Sequence, residues 1–210
     1  MQRQSQRMTQ LVEDLLTLSR LEAQEGVVDD PVSMASMLAT LRREAEALSQ
    51  GRHRIVVDDF TLAAGNPLDL RGSTKELHSA FSNLVSNAVR YTPNGGTITV
   101  RFATEGDGAV LAVNDTGYGI PAAHLPRITE RFYRVSTSRS RESGGTGLGL
   151  AIVKHVLNLH GARLSIDSEV GQGSTFAGHF PADRVLPRDP YDLFPAPAEA
   201  ESLDAPLPKP

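Results

Sequence analysis

No cysteine occurs anywhere in the chain, which excludes disulfides and thiolate metal sites and fits a reducing compartment. No apolar run approaches the roughly 20 residues that span a bilayer. Nor does Met1-Gln2-Arg3-Gln4 lead into a signal-peptide core, so the expected location is cytoplasmic. Positive charge is also short. Lys and Arg number 21 against 25 Asp and Glu, a net charge of −4, which gives a nucleic-acid partner no global support. Internal repeats are lacking too. What remains is 210 residues of 40% hydrophobic and 22% charged content, enough for one principal domain with appendages.

The densest feature is Ser143-Gly144-Gly145-Thr146-Gly147-Leu148-Gly149-Leu150-Ala151-Ile152-Val153, where glycines open into an apolar, helix-compatible run. A helix beginning there aims the free N–H groups of its first turn, near Leu148, Gly149 and Leu150, at whatever sits in the loop. Those groups and the helix dipole favour an anion. No Lys follows the glycines, so this is not a Walker loop. The polar, Arg-rich stretch 136–143 makes a preceding strand of the dinucleotide type improbable. A tight turn that binds nothing fits the same spacing.

Read in order, residues 3–24 form one amphipathic helix, with Met8, Leu11, Leu15 and Leu18 at 3-4-3 spacing and Val12, Leu16 and Leu21 widening the stripe. So short a helix must bury that stripe on a partner helix or on this chain's own domain. A second helix is expected at 33–49, with Ser33 as N-cap and Gly51 as stop. Strands follow at 53–58 and 68–71, then a helix at 74–91 closed by Thr92-Pro93-Asn94-Gly95-Gly96. Strands at 97–104 and 109–114 flank a Gly-rich hairpin. Residues 116–145 read as a long loop, and long loops carry function. The glycine-initiated helix spans 147–160, and strands at 162–168 and 174–180 finish the domain. From residue 184 onward the chain carries seven of its 13 prolines and reads as a disordered tail, 184–210.

Three further stretches carry chemistry. On the helix 74–91, Leu77, Ala80, Phe81, Leu84, Val85 and Ala88 make the apolar face, while Asn83, Asn87 and Arg90 fall within about 60° of one another. Asparagine disfavours helix interiors, so a stacked amide pair beside a cation points to a ligand. Amide oxygens suit a hard cation such as Mg²⁺, and a guanidinium suits phosphate. A solvated polar face is the alternative. Asp115, at a strand end before Gly117 and Gly119, can only accept hydrogen bonds when ionised, as from an adenine amino group; a plain turn would look the same. Arg127, Arg131, Arg134, Arg139 and Arg141 face one acid, Glu130, and form either a phosphate-facing cluster around Phe132 and Tyr133 or a solvated loop.

These stretches, in this order, resemble the ATP-binding domain of bacterial sensor histidine kinases. The N-box is similar to Asn83-Leu84-Val85-Ser86-Asn87-Ala88-Val89-Arg90-Tyr91-Thr92, the G1 box to Asp115-Thr116-Gly117-Tyr118-Gly119-Ile120, and the F-box to Glu130-Arg131-Phe132-Tyr133-Arg134. The G2 box resembles Gly145-Thr146-Gly147-Leu148-Gly149-Leu150, and the last box Gly171-Gln172-Gly173-Ser174-Thr175-Phe176. The likeness covers residues 3–182 and is nearest in detail to the phosphate-regulon sensor kinases. It implies an α/β two-layer sandwich, a mixed sheet covered on one face by helices, with an N-terminal amphipathic helix. It further implies ATP and Mg²⁺ as ligands. Asn87, helped by Asn83, would hold the metal, Arg90 would meet phosphate and Tyr91 would lie near adenine. Asp115 would bind the adenine amino group in a pocket lined by Gly117, Gly119 and Ile120. Arg134 and the backbone of Gly145, Thr146, Gly147, Leu148 and Gly149 would hold the γ-phosphate end, with Thr175 at the pocket wall. Related ATPases carry Glu where this chain has Asn83, and an amide cannot act as a general base, which favours transfer to a protein side chain over hydrolysis.

The family's acceptor histidine sits beside an acid and before a Thr/Asn-Pro step on the preceding helix, and none of His53, His78, His124, His155, His160 or His179 has such neighbours. The resemblance therefore divides the chain into a second dimerisation-hairpin helix (1–25), a catalytic domain (26–183) and the tail. Its implied partners are a histidine-bearing helix, a response regulator and a second copy through residues 3–24, with a longer relative anchored in the inner membrane. A nucleotide-binding regulatory module and an ATPase are the rival readings.

Overall fold

The computed structural model describes residues 2–24, 26, 29–135 and 145–188. Its elements are α1 (Gln2–Glu22), β1 (Asp30–Val32), α2 (Met34–Ser49), β2 (Arg54–Asp59), α3 (Phe60–Ala63), β3 (Leu68–Gly72), α4 (Thr74–Tyr91), β4 (Thr97–Glu105), β5 (Gly108–Asp115), α5 (Gly149–Leu159), β6 (Arg163–Glu169), β7 (Gly173–Phe180) and β8 (Val185–Pro187). Single 3-10 segments cover Ala122–Arg127 and Ala182–Arg184. Local chemistry sets the helix starts: the hydroxyl of Ser33 accepts from the Ser36 amide and that of Ser73 from the Glu76 amide. Gln50, in the left-handed region at φ 50°, ends α2 one residue before Gly51.

The main sheet has the order β2-β4-β5-β7-β6. Its β2–β4 pair is parallel, from Arg54↔Thr97 to Asp59↔Phe102, and every other pair is antiparallel. Alternation decides the buried face. Ile98, Val100 and Phe102 on β4, with Ala109, Leu111 and Val113 on β5, pack against Leu77, Phe81, Leu84 and Val85 of α4 and Ile152, Val153 and Val156 of α5. The opposite face carries Arg101, Asn114 and Asp167 outward. This is the expected two-layer arrangement, a mixed sheet under one layer of helices.

Sequence patterning missed a second, three-stranded sheet of order β1-β3-β8. It corrects the expected start of the tail at residue 184. Val185 pairs with Leu70, Leu186 with Asp69 and Pro187 with Leu68, so the ordered domain runs to Arg188. Residues 189–210 of the expected tail lie outside the described residues. The amphipathic stripe of α1 is divided. Leu18 and Leu21 are buried where α1 meets α5, whereas Met8, Val12, Leu15 and Leu16 are exposed.

Candidate functional site

The polar stripe of α4 lies against the glycine loop that opens α5. Asn83 donates through Nδ2 to the carbonyl of Ser79 at 2.8 Å, which fixes its Oδ1 toward Gly149. A Cβ on Gly149 would stand 2.6 Å from that oxygen, and one on Gly145 would stand 2.6 Å from Nη1 of Arg90 and 3.7 Å from the Tyr91 hydroxyl. The glycines are therefore required by close approach, not by the turn alone. The side chain of Asn87, half-buried one turn beyond Asn83, makes no hydrogen bond to another described residue. Leu148, the N-cap residue of α5, supplies no side-chain cap; its own amide donates to the Thr146 hydroxyl at 3.3 Å, and the N–H groups that follow it open the helix toward the loop.

Asp115, at the end of β5, is 5% exposed. One oxygen accepts the Gly117 amide at 2.8 Å. Burial pushes its carboxyl above the usual range, while hydrogen bonds from the backbone of Gly117 and Ser174 pull it back. Gly117 is pinned between that carboxylate and the Tyr91 carbonyl, each 2.5 Å from where its Cβ would be. Gly119, at φ +67°, packs against the Glu169 carbonyl, and the Ile120 amide donates to the Ser168 hydroxyl at 2.8 Å. The C-terminal end of α4, the Asp115 turn and the β6–β7 turn thus share one wall.

The segment around Phe132 is bonded to the glycine loop. The Phe132 amide donates to the Gly147 carbonyl at 2.9 Å, and Phe132 itself sits at φ 61°, a strained setting for a non-glycine residue. The expected arginine cluster is partly neutralised. Arg127 pairs with Glu130 at 3.1 Å and lies 4.5 Å over the Tyr133 ring, and Arg131 pairs with Glu22 of α1. Arg134 follows, half-buried. Arg139, Arg141, Ser143 and Gly144 lie outside the described residues.

One expected residue stands apart from the rest. Thr175 accepts from Asn114 Nδ2 at 2.8 Å, in register with Asn114 on the sheet face opposite Asp115; Ser174 is Asp115's cross-strand partner. The sequence reading also missed Asp14, whose carboxylate accepts from the Thr146 hydroxyl at 2.6 Å across 132 residues. A polar residue on a helix stripe carries no local mark of such a contact. Five of the six histidines are hydrogen-bonded: His53 to Ser49 and Thr92, His78 to Glu44, His124 to Tyr133, His160 to Ser73 and Val156, His179 to Glu105 and Ser165.

The donor set fits a magnesium nucleotide. Two amides on one stripe offer oxygens, a cradle of glycines leaves room that a Cβ would fill, and a guanidinium lies beside it. Among the described residues there is no group of three His, Asp or Glu side chains that could hold a metal ion.

Residues 72–184 match the family described as histidine kinase-, DNA gyrase B-, and HSP90-like ATPase. The phosphate regulon sensor protein PhoR of Pseudomonas aeruginosa is 54% identical over 187 residues, covering 88% of this chain and 41% of that protein. The circadian input-output histidine kinase CikA of Synechococcus elongatus is 38% identical, covering 89% of this chain and 25% of its own length. The chain thus spans well under half of these curated relatives. Among solved structures, full-length ShkA in complex with AMPPNP matches at TM-score 0.68 and 26% identity, covering 83% of this chain and 35% of that one. The mycobacterial sensor histidine kinase MprB matches at 0.61 and 28%, covering 76% and 97%.

Proposed function

The chain belongs to the histidine kinase-, DNA gyrase B- and HSP90-like ATPase family, and from that premise we propose that it is the catalytic part of a two-component sensor histidine kinase. It binds ATP and passes the γ-phosphoryl group to a histidine on a partner helix. The observation that carries this reading is the convergence of Asn83 and Arg90 on Gly149 and Gly145, with Asp115 on the adjoining wall.

In this reading Asp115 accepts the adenine amino hydrogen with the oxygen not held by Gly117, which selects an amino-bearing base. Tyr91, Gly117, Gly119 and Ile120 shape the base pocket. Asn87, helped by Asn83, would hold Mg²⁺, which when bound neutralises polyphosphate charge. Arg90, Arg134 and the backbone of the 145–149 loop oppose the charge that remains. The acceptor imidazole nitrogen forms a bond to the γ-phosphorus as the bond to the β-phosphate oxygen breaks and ADP departs. Catalysis is mostly positioning and electrostatics. The amide at position 83 cannot act as a general base toward water, which favours transfer over hydrolysis.

The expected partners are the histidine-bearing helix of the same or a sister chain, a second copy through the exposed stripe of α1, and a response regulator. No described helix is long and apolar enough to cross a membrane. Labelled ATP tests the reading. Transfer to a separately supplied helical hairpin bearing the acceptor histidine is expected, without self-labelling. Phosphate release without acceptor would instead identify an ATPase, and binding with no transfer a regulatory module.

A further inference from the structure

Asp14 is a carboxylate buried on an otherwise amphipathic helix, and its contacts reach the nucleotide loop. Its Oδ2 accepts from the Thr146 hydroxyl at 2.6 Å and its Oδ1 from Gln10 Nε2 at 2.9 Å. The Thr146 oxygen in turn accepts the Leu148 amide at 3.3 Å. Leu148 is the residue at the N-terminus of α5, so this contact occupies one of the N–H groups that an anion would use. It also sets a carboxylate against Thr146, the residue next to Gly145, where a Cβ would stand 2.6 Å from Arg90 Nη1. A second tie lies one helical span further on. Glu22 pairs with Arg131, next to Phe132, whose amide is bonded to Gly147. Both loops are thus bonded to each other, and each is bonded to α1.

We propose that Asp14 and Glu22 form a two-point latch by which α1 holds the glycine loop in an arrangement that disfavours phosphate, so that shifting α1 sets the affinity of the pocket for nucleotide phosphates. Asp14 is a positioning residue in this scheme, acting through Thr146 on the Leu148 amide and through its charge on the incoming polyphosphate. Like charges in a partly buried site repel far more than in water, so Asp14 contributes the larger part. The Glu22–Arg131 pair is exposed on both sides and contributes little by itself. The inference rests on the nucleotide reading of the pocket.

Calorimetric titration of the whole chain with ATP and with adenosine tests it, on wild type, Asp14→Asn, Asp14→Ala and Glu22→Gln. Both Asp14 variants should bind ATP about tenfold more tightly, equivalent to about 1.4 kcal/mol. Glu22→Gln should gain about twofold at low salt and nothing at high salt. Adenosine, which lacks phosphates, should bind all four alike. Unchanged or weaker ATP binding in the Asp14 variants would overturn the latch, as would an equal change for adenosine. Wild type that binds neither ligand would instead sink the nucleotide reading. Should the Asp14 variants fail to fold, hydrogen exchange on wild type reads the same device. Added ATP should raise exchange in residues 14–22, and unaltered exchange there would overturn the latch.

Discussion

Asn83 Oδ1 and Gly149 stand so close that a Cβ on the glycine would sit 2.6 Å from the oxygen. Gly149→Ala therefore drives the amide out of the pocket while leaving the backbone intact, and alanine at a helix start even gains up to about 1 kcal/mol of propensity. The expected outcome is a melting temperature near that of wild type with ATP affinity reduced at least about tenfold, read by calorimetry. Gly173→Ala is the contrast. Gly173 sits at φ +110° and its Cβ would meet the Asp115 carbonyl, so that variant should lose about 3 kcal/mol or more of stability in urea titration.

Asp115 is held at a cost to the fold. Burial raises its carboxyl above the ordinary 3.8, partly offset by the Gly117 and Ser174 backbone. The folded chain then keeps this proton longer than the unfolded one, so stability from this group falls as pH rises upward from about 3.8. The carboxylate serves binding, not stability. Asp115→Asn can still accept the Gly117 amide, but it turns a donor toward the adenine amino group. ATP binding should weaken by about 1–3 kcal/mol while the urea midpoint stays level or rises. Unchanged affinity would remove the adenine role.

The parts of this molecule that were legible from sequence are those where one local pattern decides. The α4 wheel is the clearest case: Leu77, Ala80, Phe81, Leu84, Val85 and Ala88 all bury, and the Asn83–Arg90 stripe turns to the glycine loop. What was missed depends on distant partners. The strands β1 and β8 are three residues each, and β8 includes Pro187 within a proline-rich stretch; only β3 between them makes them strands. Thr175 and Ser174 differ by one register step, and in a strand that step exchanges the faces of the sheet. The Asp14–Thr146 contact spans most of the chain and has no local sign.

Arg188 closes the domain. Its side chain is 8% exposed and lies 3.1 Å from Asp69 Oδ1 and 3.8 Å from Asp59 Oδ2. Asp69 also accepts the Met34 amide at the start of α2, and Asp59 caps α3. Removing the guanidinium leaves two largely buried carboxylates without the cation beside them. Arg188→Ala should lose about 3–5 kcal/mol in denaturant titration. A chain ending at residue 183 loses β8 as well and should be destabilised further.

His160 links the two helices of the site at the ends remote from the pocket. It is fully buried after the last turn of α5, with Nδ1 2.8 Å from the Val156 carbonyl and Nε2 3.1 Å from the Ser73 amide. An amide can only donate, so Nε2 is the bare nitrogen and Nδ1 carries the proton. A second proton would face the Ser73 amide hydrogen at the N-cap of α4. Burial accordingly lowers the imidazole below its ordinary 6.5, against the upward pull of its Val156 bond, Glu76 and Asp29 and with the help of Arg184. The unfolded chain therefore takes up this proton first. Stability from His160 is complete above about pH 6.5 and is lost as pH falls below it, at no more than about 1.4 kcal/mol per pH unit. Urea midpoints for wild type should fall from pH 7.5 to 5.5, and His160→Gln, less stable at pH 7.5, should show a flatter profile. Parallel profiles for the two proteins would show that the acid sensitivity lies elsewhere.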